Sequence, residues 1–152
     1  MSSLPEPYVS SSEAITTARL IEDYFSELGL SINEIKGIEI GFGGFSSHTL
    51  SKITTYIMDI EAEMYKKYEE KLDIKLVKGD ATKADLSGLD FIVSLGLPKA
   101  SMSVAEKVLK NSAKHCVEYA ILSPKANNPG QYELDIAESI TEEKELLFYV
   151  LK

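Results

Sequence analysis

Four short stretches of this 152-residue chain carry residue types suited to ligand chemistry. The first is Lys36-Gly37-Ile38-Glu39-Ile40-Gly41-Phe42-Gly43-Gly44-Phe45, an apolar run broken by glycines and followed by Ser46 and Ser47. A glycine turn between a strand and a helix can bring bare backbone N–H groups against a ligand, because no Cβ keeps the ligand away. The same turn also suits a strand-to-loop reversal that needs positive φ and binds nothing. Glu39 stands inside the apolar run, where a carboxylate needs hydrogen-bond partners. The second stretch ends at Asp59, the third is Gly79-Asp80-Ala81, and the fourth is Ser94-Leu95-Gly96-Leu97-Pro98. One carboxylate can accept both vicinal hydroxyls of a nucleoside, and another can accept from an exocyclic amine. Taken singly, Asp59 reads more often as a strand-end or helix-cap residue than as a ligand, and Asp80 reads equally as a turn residue. His48 reads as a general base beside the turn or as a surface helix residue. What joins the four stretches is their order and spacing.

The elements that must position them follow from hydrophobic periodicity. Residues 1–9 contain Pro5 and Pro7 and read as an extended arm, leaving 10–152 as a single domain. Ser10-x-x-Glu13 has the form of a capping box, opening a helix from about Ser11 to Leu28 that Gly29 stops. Ile38–Ile40, Thr55–Met58, Ile74–Val77, Phe91–Val93 and Cys116–Leu122 read as five strands. Between them fall a short helix from Ser46 to about Ile53, a charged helix from Glu61 to Leu72 with Met64, Tyr68 and Leu72 inward, and a helix capped by Ser103-x-x-Glu106. His115 and Cys116 read as packing residues that open the fifth strand. After the Ser123–Gly130 loop, Tyr132–Ile140 and Leu146–Leu151 leave no room for a helix between them, so they should pair antiparallel. Alternating strands and helices imply a parallel sheet with right-handed crossovers. In such sheets ligands bind beyond the carboxyl ends of the strands, which is where the four stretches fall.

Composition narrows the partners. The net charge of −8 gives no overall attraction for nucleic acid, although a local basic patch remains compatible with it. Cys116 is the one cysteine, which excludes a disulfide framework or a cysteine metal cluster and favours a reducing, cytoplasmic setting. No apolar run reaches the roughly 20 residues of a membrane helix, and Met1–Ser10 does not read as a signal peptide. One arginine and one glutamine among many lysines and glutamates lean toward a heat-adapted, thermophile source.

With these elements in order, the chain resembles the class I S-adenosylmethionine-dependent methyltransferases from about Ile35 to Lys152. The resemblance implies a Rossmann-like, doubly wound, mostly parallel sheet of about seven strands ending in an antiparallel hairpin. Glu39-Ile40-Gly41-Phe42-Gly43 resembles the family's first motif, an acid followed by G-x-G. The usual third glycine is displaced: its place is Phe45, and Gly44 precedes it. By the same resemblance Asp59, with Ile60 beside it, would bind the ribose hydroxyls, and Asp80-Ala81 would lie near the adenine amino group. Ser94 to Pro98 falls at the acceptor-side motif but lacks the N/D-P-P-Y form of base amino methylases. Phe45 is expected to wall the methionine side of the pocket, with Gly44 swinging its ring aside.

The implied activity is methyl transfer from S-adenosylmethionine to a small-molecule or protein acceptor. Sulfonium methyl transfer needs no metal, and alignment of acceptor, methyl and sulfur can supply much of the rate. The sequence names no catalytic base. The acceptor would be held by the arm, the Leu97-Pro98 loop and the Ser123–Gly130 loop, with a homodimer or partner subunit able to contribute. Two other readings stand beside it. One is a non-catalytic methyltransferase-like subunit, favoured by Phe45 and the missing acceptor motif. The other is a nicotinamide-binding protein, which fits Gly41-x-Gly43 and an acid some 18 residues on, though the last position of G-x-G-x-x-G is Ser46.

Overall fold

A computed structural model describes residues 10–96, 102–122, 137–143 and 146–151. The expected arm, the Leu97-Pro98 loop and the Ser123–Gly130 loop lie outside the described residues.

Helix α1 (Ser11–Glu27) opens at Ser10, whose hydroxyl accepts the Glu13 N–H at 3.2 Å and donates to the Glu13 carboxylate at 3.0 Å. It closes at Leu28, and Gly29 takes a positive φ of 79°, as a left-handed helix stop requires. Strand β1 (Gly37–Ile40) is buried along its whole length and occupies the middle of the sheet. Helix α2 (Phe45–Leu50), β2 (Tyr56–Asp59), α3 (Ala62–Tyr65), α4 (Tyr68–Leu72) and β3 (Leu76–Lys78) follow on one side. Strand β4 (Phe91–Ser94), α5 (Met102–Lys114) and β5 (Tyr119–Leu122) build the other side, and β6 (Ala137–Glu143) and β7 (Leu146–Leu151) end the chain.

The seven strands lie in the order β3-β2-β1-β4-β5-β7-β6. The first five pair in parallel, and β7 pairs antiparallel with both β5 and β6. Strand order reverses between β1 and β4, which places a crevice at their carboxyl ends.

Both faces of the sheet are covered. On one, Ile21 and Phe25 of α1 and Leu50 of α2 pack on Phe91, Val93, Ile121 and Phe148. On the other, Val108 and Leu109 of α5 pack on Ile38, Ile40, Ile92 and Ala120. A third cluster holds Phe42 against Ile57, Leu72 and Leu76. At the edge strand β3, the Leu76 N–H donates to Glu69 at 2.8 Å and its carbonyl accepts from Lys66 at 2.6 Å. These two side chains occupy groups that would otherwise template pairing with another chain.

Several boundaries differ from the periodicity reading, each for a physical reason. The charged segment forms two short helices rather than one. The inner face carries Ala62 rather than Met64: Ala62 is buried and Met64 is half exposed. Helix α2 stops at Leu50, three residues earlier than expected. Helix α5 begins at Met102, before the serine read as its cap. Cys116 is exposed at φ 64°, the turn after α5, so neither it nor His115 opens a strand and β5 starts at Tyr119. Leu28 caps α1 and is half exposed, so the helix ends at Glu27, one residue earlier than expected. Strand β6 is Ala137–Glu143, running three residues past the expected end at Ile140.

Candidate functional site

Beyond β1 the chain makes its glycine turn. Gly41 has φ 89° and donates its N–H to the Met58 carbonyl at 2.8 Å, tying the turn to the end of β2. Gly44 has φ 62° and ψ −125°, a combination that suits only glycine, and it caps α2. The N–H groups between them are already used. Phe42 N–H donates to Asp59 Oδ2 at 2.8 Å, and Gly43 N–H donates to Ser47 Oγ at 2.7 Å. The Ser46 hydroxyl donates to the Gly43 carbonyl at 2.9 Å. The turn is therefore fastened by its neighbours, and the expected presentation of bare N–H groups does not extend to Phe42 and Gly43. The Phe42 ring is buried 5.2 Å from the Tyr65 ring, on the far side from the crevice.

A cavity of about 310 Å³ opens where β1, β2 and β3 end. Gly41, Asp59, Ile60, Asp80 and Ala81 line it together, over an apolar floor of Ile40, Met58, Val104 and Val108. Three of the four stretches singled out in the sequence thus meet in one place. Asp59 accepts Phe42 N–H on one oxygen and Glu61 N–H, at 2.7 Å, on the other. An ionised carboxylate has about four acceptor positions, so each oxygen keeps one for a ligand hydroxyl. Asp80 Oδ1 accepts both the Thr82 hydroxyl at 2.6 Å and the Thr82 N–H at 2.9 Å. These bonds, helped by the Lys83 charge, hold its carboxyl below the usual range. Ile60 presents an apolar side chain, 64% exposed, at the same opening.

Glu39 sits outside this cavity. Register places it beside Ile57 and Val93, on the face covered by α1 and α2. It is fully buried, and neither carboxylate oxygen has a hydrogen-bond partner of ordinary geometry. Burial pushes its pKa up to about 8, the Ser47 hydroxyl acts against that, and the Asp59 charge adds to it. The protein therefore keeps a neutral acid beneath the glycine turn at pH 7.

The remaining candidates separate from the cleft. Phe42, Gly43 and Gly44 are not among its lining residues. Phe45 begins α2 with 53% of its surface exposed and is not among the residues that line this cavity. The displaced third glycine puts the ring at the helix start, pointing into solvent. Ser94 is fully buried, with its hydroxyl 3.5 Å from the Ile40 carbonyl. His48 is half-buried and its Nδ1 meets the Leu72 carbonyl. A carbonyl only accepts, so that nitrogen carries the proton and the ring ties α2 to α4. Sequence reasoning also passed over Asn111. Its side chain is buried on α5 and donates to the carbonyls of Ala81 and Ala84, at 3.0 and 2.9 Å. It fixes the loop that carries Asp80. A polar residue between Val108 and Ser112 on a packed helix face was the available signal.

The architecture is the class I methyltransferase fold, and solved structures of such enzymes share it. Magnesium protoporphyrin IX methyltransferase from Synechocystis PCC 6803, with bound SAM, is 16% identical and covers 91% of this chain and 79% of its own, at a TM-score of 0.56. An RNA methyltransferase from Salinibacter ruber with S-adenosyl-L-homocysteine is 12% identical, with coverage of 93% and 90% and a TM-score of 0.59. The N-methyltransferase NodS from Bradyrhizobium japonicum WM9, also with S-adenosyl-L-homocysteine, is 11% identical, with coverage of 96% and 87% and a TM-score of 0.58. No protein-family model matches the sequence, and comparison with curated proteins gives no match. No helix among the described residues is long and apolar enough to cross a membrane.

Proposed function

We propose that this chain binds S-adenosylmethionine in the cleft at the ends of β1–β3 and transfers its methyl group to an acceptor. The observation that carries this reading is the convergence of Gly41, Asp59 and Asp80 on one cavity with an apolar floor. The residues present fit the group. Asp59 has acceptor positions left for two ribose hydroxyls, and Asp80 Oδ2 accepts nothing among the described residues and suits an adenine amine. Ile60 and the Val104–Val108 side suit the faces of a purine. The cofactor, when bound, supplies an electrophilic methyl on a positively charged sulfur. The chain's part is to orient it and to exclude water by its apolar floor. The acceptor is a small molecule or a macromolecule.

Calorimetry with S-adenosylmethionine, S-adenosylhomocysteine and NAD tests the reading. The first two should bind and NAD should not. Absence of binding by both sulfur ligands, or tighter binding of NAD, would overturn it. A second reading is a non-catalytic subunit of the same fold. It is favoured by Ser94, which stands at the acceptor-side position yet is fully buried and lies outside the cleft lining. Cofactor binding without methyl transfer to any acceptor, small-molecule, protein or nucleic acid, would select it.

A further inference from the structure

A second groove, of about 390 Å³, runs between α5 and the loop after β3. It is lined by Thr82, Lys83, Lys107, Lys110, Asn111 and Lys114. Thr82 also lines the cleft, so the two spaces adjoin at that residue. We propose that this groove binds the sugar–phosphate backbone of a nucleic-acid strand and leads it to the cleft. This deepens the methyltransferase reading, and rests on it, by making nucleic acid the acceptor.

The groove is a local reversal of the chain's charge. The whole protein carries −8, yet four lysines line one groove. Lys110 pairs with Glu106 at 3.2 Å. Lys83, Lys107 and Lys114 are exposed and make no ion pair among the described residues. Among the described residues, Asp80 interacts with Lys83, Glu106 with Lys110 and Asp85 with His115. Asp80 is engaged by Thr82, and Asp85 by Ser87 and, at 3.8 Å, by His115. Because salt screens charge within about 8–10 Å, a strand in the groove meets the lysines more than the distant acidic surface.

The arrangement favours a polymer over a single small anion. Lys107, Lys110 and Lys114 are spaced three and four residues apart, which puts them along one face of α5. At about 1.5 Å per residue they extend over about 10 Å. Phosphates of one strand recur about every 3.4 Å along a duplex, so such a row meets about three or four of them. Lys114 alone could be explained as a cation complementing the helix C-terminus. Lys83 cannot, since it lies outside the helix and opens onto the same groove. The chain's one arginine, Arg19, is on α1 and not in the groove. Point-charge lysines without arginine forks suit backbone contact rather than base reading.

The test is fluorescence anisotropy of the full chain with labelled mixed-sequence 12-nucleotide RNA and DNA strands, without S-adenosylmethionine. Binding should be seen at 50 mM salt. Three or four neutralised phosphates should weaken it about 20- to 50-fold at 200 mM. The combined variant Lys83→Gln/Lys107→Gln/Lys114→Gln should lose at least tenfold in affinity and most of the salt dependence. Each single substitution should lower the logarithmic salt slope by about 0.7. Lys52→Gln/Lys75→Gln, outside the groove, should change neither. Tighter binding of RNA than DNA, or equal binding of both, agrees with the proposal. No binding at 50 mM salt, unchanged binding by the combined variant, or equal binding of a decaglutamate peptide would overturn it. Circular dichroism checks that each variant is folded, and the single variants decide the matter if the combined one is not. With the cofactor absent, failure here and failure of the S-adenosylmethionine titration are separate results.

Discussion

Glu39→Gln isolates the cost of keeping an acid inside the sheet. In the unfolded chain the carboxyl titrates near 4.5, and in the folded chain near 8. Between these values the unfolded state releases its proton while the folded state holds it. Stability supplied by the proton is complete below the unfolded value and is lost as pH rises toward the folded one. At about 1.4 kcal/mol per pH unit, that gap amounts to a loss on the order of 5 kcal/mol. Glutamine has nearly the same shape and cannot ionise. Its amide leaves buried donors that cost about 1–3 kcal/mol at every pH. The variant should therefore be less stable than wild type at pH 5, and the difference should shrink or reverse by pH 8. Urea unfolding of both ligand-free proteins, followed by circular dichroism at half-unit steps from pH 5 to 8, measures this. The difference between the two proteins cancels the titrating groups that do not interact with Glu39. Parallel stability curves would mean that Glu39 keeps an ordinary pKa, and the account of a neutral acid under the glycine turn would be wrong.

Four further variants test the geometry. Asp59→Ala removes the acceptor for two backbone N–H groups, at 2.8 and 2.7 Å, so it should cost about 1.5–3 kcal/mol in urea unfolding besides weakening S-adenosylmethionine binding at least tenfold in calorimetry. Gly37→Ala should destabilise by about 1–3 kcal/mol or fail to fold, because its Cβ would fall 2.1 Å from the fully buried Phe91 ring; an unchanged melting midpoint would contradict that packing. Phe45→Gly should alter S-adenosylmethionine affinity less than twofold, since the ring is exposed and outside the cleft, whereas Gly44→Ala should cost about 1–3 kcal/mol for a backbone that only glycine adopts easily.

The parts of the fold that depend on one face or one short run were legible in the sequence. Ile38–Ile40 and Phe91–Val93 are nearly all apolar, and both prove to be central strands buried along their length. Leu146–Leu151 could only pair antiparallel, and it does so with both β5 and β6. What failed was phase and punctuation in charged segments. Residues 61–72 hold glutamates and lysines at almost every spacing, so periodicity could not show the break at Lys66–Lys67. Strand identity of Cys116 failed similarly: an apolar run began there, but the chain still had to leave α5 through a left-handed residue.

The site was legible where a residue's role lies in its position at a strand end, and illegible where it lies in what a neighbour does. Gly41, Asp59 and Asp80 each follow a strand of the parallel sheet, and topology alone carries such positions to one edge. Their bonding could not be read the same way. Asp59 braces the glycine turn through Phe42, and that bond exists only because β2 lies beside β1. Asp59 is thus a strut, and its loss should perturb the turn and the cleft together. Asn111 shows the converse, since its bonds to Ala81 and Ala84 cross 27 to 30 positions of sequence and position Asp80 without touching the cavity. The glycine motif misled in one respect for the same reason. G-x-G suggests exposed N–H donors, yet two of the donors in this turn are taken by Asp59 and Ser47. The turn is therefore fastened by its neighbours, and Gly41 is the one of its residues that lines the cleft.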